Sequence, residues 1–215
     1  TNGNNRVLSE SETLGRLYSC GFSVVALKLI NGSLYFIVQK VKEPLYNNSP
    51  TYGPLVKLNR VGKYGKIIKV YKMRTMYPFS EYIQHYIYES NNLQEGGKIK
   101  NDYRVTTAGK IMRKFWIDEL PMFINMFRGE LKLVGVRPLS KHFFSLYPKE
   151  FQERRMQFKP GLIPPFYVDM PVTFDEIIAS EKKYLDQYEK HPITTDLKYF
   201  FLASKNILFK KARSK

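Results

Sequence analysis

Two adjacent carboxylates, Asp118 and Glu119, stand in the stretch Trp116-Ile117-Asp118-Glu119-Leu120-Pro121. Pro121 suits a first helical turn, because its missing N–H is not needed there. The pair therefore falls at or just before a helix N-terminus, where the backbone dipole favours anions and lowers a carboxylate pKa. An aspartate held ionised among Phe115, Trp116 and Leu120 is a candidate nucleophile. A neighbouring carboxylate is a candidate ligand for Mg²⁺, which takes oxygen donors and binds alongside diphosphates. The plainer alternative is a helix cap at Asp118 and a first-turn charge at Glu119. Cations bracket the pair, with Arg104, Lys110, Arg113 and Lys114 before it and Arg128, Lys132 and Arg137 after it. Arg137 follows a strand candidate in Val136-Arg137-Pro138, and a guanidinium forks well onto phosphate oxygens. A carboxylate pair set among cations fits phosphate chemistry better than a solvated charged face does.

Other chemistries lack their residues. His85, His142 and His191 are far apart, and HExxH and CxxC are absent, which argues against zinc. There is no GxxxxGK[ST] phosphate loop, no GxSxG and no His-supported nucleophile. Cys20, in an apolar stretch, reads as a buried structural thiol, and a single cysteine fits a reducing compartment. The 35 Lys+Arg against 19 Asp+Glu give a formal charge of +16, alongside 16 Tyr and 15 Phe. Such a surface suits nucleic acid, an anionic membrane or phosphorylated small molecules. No RNP, helix-turn-helix or zinc-finger pattern supports nucleic acid. The polar start without Met reads as a piece of a longer chain. The longest apolar candidate, 17–27, is too short to span a membrane, so membrane contact in this chain would lie along the interface. Two segments offer it: 143–166, with Phe144, Tyr147, Phe151, Phe158 and Phe166 among cations, and 199–215, with Phe200, Phe201 and Phe209 alongside Lys205, Lys210, Lys211, Arg213 and Lys215.

The elements that must position these residues are legible in outline. Residues 1–12 are polar and read as loose; a short helix is expected over 14–18. Asn31-Gly32 between the apolar runs 22–29 and 34–38 predicts a hairpin. The loop-like 43–54 sets a boundary, giving an α-β-β appendage over 1–50 and a main domain over 51–215. Lys66–Met73 suggests a strand. Phe79, Tyr82, Ile83, Tyr86 and Ile87 mark a helix face, and 91–106 reads as a loop. Ile111, Met112, Phe115 and Trp116 mark one further helix, and Leu120, Phe123, Ile124 and Phe127 another, closed by Gly129. A strand is expected over 131–136, a capping box at Thr173 and Glu176, and a last helix from about Thr195. The expected fold class is α+β, helix-rich with a small sheet.

Taken together, Asn101-Asp102-Tyr103-Arg104-Val105-Thr106, Gly109, Arg113, Asp118-Glu119-Leu120-Pro121, Asn125, Gly129-Glu130 and Leu133-Val134-Gly135-Val136-Arg137-Pro138 strongly resemble the bacterial sugar transferase family. These are the monotopic polyprenyl-phosphate phosphoglycosyl transferases that initiate capsule, O-antigen and exopolysaccharide synthesis. Arg60-Val61-Gly62, Gly65-Lys66 and Tyr71-Lys72-Met73-Arg74-Thr75-Met76 resemble that family's basic segment. The resemblance, over about residues 50–170, implies transfer of a phosphosugar from a nucleotide diphosphate sugar, usually a UDP-sugar, to polyprenyl phosphate with Mg²⁺. By similarity Asp118 is the nucleophile of a covalent phosphosugar intermediate and Glu119 the Mg²⁺ ligand. Lys72, Arg74, Arg104, Arg113 and Arg137 are candidate phosphate or nucleotide contacts. The resemblance further implies the cytoplasmic face of a bacterial inner membrane as location, a membrane surface as partner, no nucleic acid, and room for a homo-oligomer. A non-catalytic family member that binds nucleotide sugar or membrane is the alternative. The sequence departs from the family's pattern at Val136, Met73 and 160–165, and 1–50 lacks its re-entrant membrane helix.

Overall fold

The computed structural model describes residues 7–45, 53–90 and 102–209. In chain order the elements are α1 (Glu10–Ser19), β1 (Phe22–Ile30), β2 (Ser33–Lys40), β3 (Leu55–Val61), β4 (Ile67–Met73), α2 (Gln84–Ser90), α3 (Thr107–Lys114) and α4 (Met122–Phe127). They continue as β5 (Lys132–Val134), α5 (Lys141–Ser145), α6 (Lys149–Met156), β6 (Gly161–Ile163), α7 (Phe166–Asp169), α8 (Phe174–Lys190) and α9 (Pro192–Phe209). The fold is α+β, with helices and three separate two-stranded pairings, β1–β2, β3–β4 and β5–β6.

The chain divides into two compact units: the described residues of Thr1–Tyr52 with Arg74–Ile111, and Gly53–Met73 with Met112–Lys215. Composition marked a boundary near residue 50, whereas this division assigns 74–111 to the unit of the N-terminal residues.

In the first unit α1 starts at Glu10, where the expectation was a loose tail to residue 12. Ser9 Oγ accepts the N–H of Glu12 at 3.2 Å, and Glu12 pairs with Arg16 at 2.8 Å, so the polar residues build a capped helix start. β1 and β2 form the expected antiparallel hairpin about Asn31-Gly32, with Leu29 opposite Leu34. Leu14, Ile83 and Ile87 make this unit's core. Cys20 is exposed, contrary to the sequence reading. It caps α1 in the turn before Gly21, so its neighbours' hydrophobicity does not carry it inward.

In the second unit β3 and β4 pair antiparallel, with Leu58 opposite Val70. β3 had no counterpart in the sequence reading, because its apolar residues are interrupted by Lys57, Asn59 and Arg60. Ile68 and Val70 pack with Met122, Leu131 and Leu162. A second cluster joins Val134, Val136, Tyr147 and Phe151 to Ile178, Tyr184, Leu185 and Tyr199. Tyr147, Phe151 and Tyr199 are thus core residues, which removes them from the two segments expected at a membrane interface; Phe143, Phe201 and Phe209 remain exposed. Lys210, Lys211, Arg213 and Lys215 lie outside the described residues, as do 1–6, 46–52 and 91–101 with their share of the expected loops.

The apolar face expected to bury α4 is turned outward. Leu120, Phe123 and Ile124 are exposed, and Phe127 is 90% exposed, while Met122 and Asn125 are the buried residues of the helix. Phe115, just after α3, is 63% exposed. Gly129 closes α4 with φ +71°, as the sequence implied. The capping box of α8 is present: Thr173 Oγ1 accepts the Glu176 N–H, and Glu176 accepts the Thr173 N–H.

Candidate functional site

Asp118 and Glu119 lie in a single 3₁₀ turn, Ile117–Glu119, between α3 and α4. Trp116 enters that turn in the left-handed conformation, φ 62° and ψ 14°, a costly state for a bulky side chain. Its ring packs on Tyr167 at 4.6 Å between centroids. Its buried indole N–H finds no hydrogen-bond partner among the described residues. A tight turn, rather than a capped helix, thus carries the two carboxylates. Pro121 is the N-cap of α4, two residues on.

Glu119 is 7% exposed, and Lys72 Nζ donates to its Oε1 at 2.6 Å, across 47 residues of sequence. Asp118 is half-buried, and its carboxyl pKa is raised. Burial is the largest cause and Glu119 adds to it, while Lys72 and Arg113 pull the other way. The sequence reading expected a helix dipole to lower this pKa. The short α4 begins beyond the turn, and desolvation outweighs the favourable backbone contact.

Glu119 and Lys72 face a shallow cleft that is also lined by Leu58, Arg60, Val70, Met122, Arg137, Gly161 and Tyr167. β5 and β6 pair in parallel, with Val134 opposite Ile163, and bring Gly161 against Gly135. A Cβ on Gly161 would meet the Gly135 backbone nitrogen at 2.1 Å, so no larger residue permits this approach. Arg137, just after β5, stands over the Phe166 ring at 5.6 Å.

The second unit therefore assembles five of the seven residues singled out in the sequence: Asp118, Glu119, Lys72, Arg113 and Arg137. Arg74 and Arg104 belong to the first unit. Arg104 is buried, and its Nε and Nη2 donate to the two oxygens of Asp102 at 2.8 Å each, a structural pairing. Asn125, fully buried, went without a role in the sequence reading. Its Oδ1 accepts the Tyr71 N–H at 3.0 Å and its Nδ2 donates to the Lys69 carbonyl at 2.8 Å, which fastens α4 to β4 beside Lys72. Arg60 was read only as part of the basic segment, with no role of its own. Its alternation with Leu58 on β3 was the available signal.

For Mg²⁺, the donor set is two adjacent carboxylates, one of them buried. Among the described residues no three metal-ligating side chains cluster. This fits an ion that binds through one or two carboxylates and draws its other ligands from phosphates and water. Glu119 would hold it, beside Asp118.

Residues 12–210 match the model of the bacterial sugar transferase family. The galactosyl transferase CpsE of Streptococcus agalactiae is 34% identical over 70% of this chain and 33% of its own length. The UDP-N-acetylgalactosamine-undecaprenyl-phosphate N-acetylgalactosaminephosphotransferase of Aeromonas hydrophila is 39% identical over 51% of this chain and 24% of its own. The undecaprenyl-phosphate galactose phosphotransferase of Salmonella typhimurium is 28% identical over 74% of this chain and 33% of its own. The chain spans a third or less of the length of these three relatives. With the family match running through both units and over the carboxylate turn, the chain belongs to the bacterial sugar transferase family.

Proposed function

We propose that this chain transfers a phosphosugar from a nucleotide diphosphate sugar, most simply a UDP-sugar, to polyprenyl phosphate, initiating polysaccharide synthesis. The observation that carries this reading is the half-buried Asp118 beside the Lys72–Glu119 ion pair, at a cleft walled by Arg60 and Arg137. The names of the Aeromonas and Salmonella relatives supply the acceptor class, and the Aeromonas name supplies the donor class.

In the first step an Asp118 carboxylate oxygen attacks the sugar-bearing phosphorus. The bond from that phosphorus to the bridging oxygen breaks, and the nucleoside monophosphate leaves with that electron pair. In the second step a phosphate oxygen of the lipid attacks the same phosphorus, releasing the carboxylate and forming polyprenyl-diphospho-sugar. Donor and acceptor need not be bound together, because Asp118 carries the phosphosugar between them. Lys72 and Arg113 favour the ionised Asp118 that the attack requires. Mg²⁺, when bound, neutralises charge on the phosphate oxygens. Arg137 offers a guanidinium fork to the same groups.

The chain works, in this reading, at the cytoplasmic face of the membrane. Among the described residues no helix is long and apolar enough to cross a membrane. The exposed Phe115, Leu120, Phe123, Ile124 and Phe127 flank the carboxylate turn and suit shallow insertion at a lipid interface.

Incubation with a panel of UDP-sugars and Mg²⁺, followed by intact-mass measurement, tests the reaction. One sugar should add a single phosphosugar mass, the adduct should vanish on adding polyprenyl phosphate, and Asp118→Asn should never acquire it. Turnover without any dependence on Asp118 would reject the covalent route; nucleotide-sugar binding without adduct or turnover would favour the non-catalytic alternative.

A further inference from the structure

The carboxylate turn is held in a conformation that its first residue resists. Trp116 enters it at φ 62° and ψ 14°, a state that a bulky side chain keeps only where its surroundings impose it. The Trp116 carbonyl accepts the Glu119 N–H at 3.2 Å, so this residue closes the turn that carries Asp118 and Glu119. No hydrogen bond fixes the indole, because its buried N–H finds no partner among the described residues. The ring is held by packing on Tyr167, at 4.6 Å between centroids.

Tyr167 is in turn held from α9. It is 2% exposed and packs with Ala203 in a cluster that Trp116, Phe166 and Ile207 join. Asn206, a buried residue of α9, ties down its backbone. Asn206 Nδ2 donates to the carbonyls of Tyr167 and Val168, at 3.0 and 3.1 Å. With four residues, α7 is too short to hold its own place, so α9 sets where the Tyr167 ring stands. Asn206 lies outside the residues that line the cleft, whereas Tyr167 is one of them.

We propose that Asn206, Tyr167 and Trp116 form a strut through which α9 holds the carboxylate turn, and that they are positioning residues for Asp118. Only the reaction served by the turn rests on the transferase reading above; the strut stands on the contacts.

Trp116 is the sole tryptophan of the chain, so its fluorescence reports on the turn directly. In the full chain, Asn206→Leu keeps the side-chain volume and removes both hydrogen bonds. Its emission should move to longer wavelength, and acrylamide quenching should rise. In the transfer assay kcat should fall about 10–100-fold with donor KM within about twofold, because a displaced nucleophile impairs reaction more than binding. Ile178→Val removes one methylene from the second core cluster. It should lower the melting temperature and leave emission and kcat unchanged. Trp116→Gly takes φ 62° without strain and should fold, with a loss of kcat like that of Asn206→Leu. Trp116→Phe, which keeps a ring for Tyr167, should recover most of the rate. Unchanged emission and quenching in Asn206→Leu overturns the strut. Parental kcat in either Asn206→Leu or Trp116→Gly overturns the positioning role. If Asn206→Leu does not fold, the two Trp116 variants decide. If the parent chain transfers no phosphosugar, the transferase reading fails, and the fluorescence of Asn206→Leu alone decides the strut.

Discussion

Burial and Glu119 oppose the charge on Asp118, and Lys72 and Arg113 support it. Because the folded-state pKa is raised, the ionised group subtracts from stability above its unfolded value, and acidification through the raised value relieves that loss. Asp118→Asn should therefore melt at or above the parent temperature at neutral pH while losing more than about 10³-fold in turnover. A lower melting temperature would mean that the carboxylate stabilises the turn after all. The same shift sets the acid side of the rate profile. For the free enzyme, kcat/KM for the donor should fall with acidification at a pH above the ordinary aspartate value of about 3.9. A limb at or below that value would contradict the raised pKa.

At the scale of elements, the cleft depends on β4 holding its register against α4. Asn125 supplies that link through Tyr71 and Lys69, the neighbours of Val70 and Lys72. Asn125→Ala would strand the half-buried Tyr71 N–H and Lys69 carbonyl and leave a cavity at a fully buried site, at about 1–3 kcal/mol in all. The expected result is a melting temperature lower by several degrees and a higher donor KM; chemical denaturation and steady-state kinetics check the two. Much of this architecture was legible beforehand. Asn31-Gly32, Gly129 and the Thr173/Glu176 box each need only a few neighbouring residues, and each appears where expected. The carboxylate turn and three of its charged companions, Lys72, Arg113 and Arg137, were legible through their types and their resemblance to a family. What escaped was long-range. β3 hides because Lys57, Asn59 and Arg60 serve solvent and cleft instead of the core. Arg104 looked like a phosphate ligand until Asp102, two residues away, claimed it. The outward turn of α4 defeats helical periodicity, which marks an apolar face without saying what covers it.

At the scale of the molecule, the proposed transfer to a lipid gives that outward face a role at the membrane interface. Phe115 and Phe127 belong to the same unit as Asp118, and burying one Phe contributes about 1.5–3 kcal/mol. Replacing both with Ser should lower partitioning into phosphatidylcholine vesicles by at least about tenfold, with the loss persisting at high salt. Unchanged partitioning, measured by vesicle sedimentation, would place the membrane contact elsewhere.

The division into units also has a consequence in time. The chain passes from one unit to the other between residues 52 and 53, 73 and 74, and 111 and 112. The ribosome therefore finishes the β3–β4 hairpin long before Leu162, which helps cover Ile68 and Val70. At about 5–20 residues per second, roughly 90 residues of further synthesis take on the order of 5–20 s. A lone two-stranded hairpin is only marginally stable, and its open edges invite pairing with other chains. The strands that carry Arg60 and Lys72 are thus most vulnerable on the nascent chain, and a ribosome stalled before Leu162 would display them with their apolar face still uncovered.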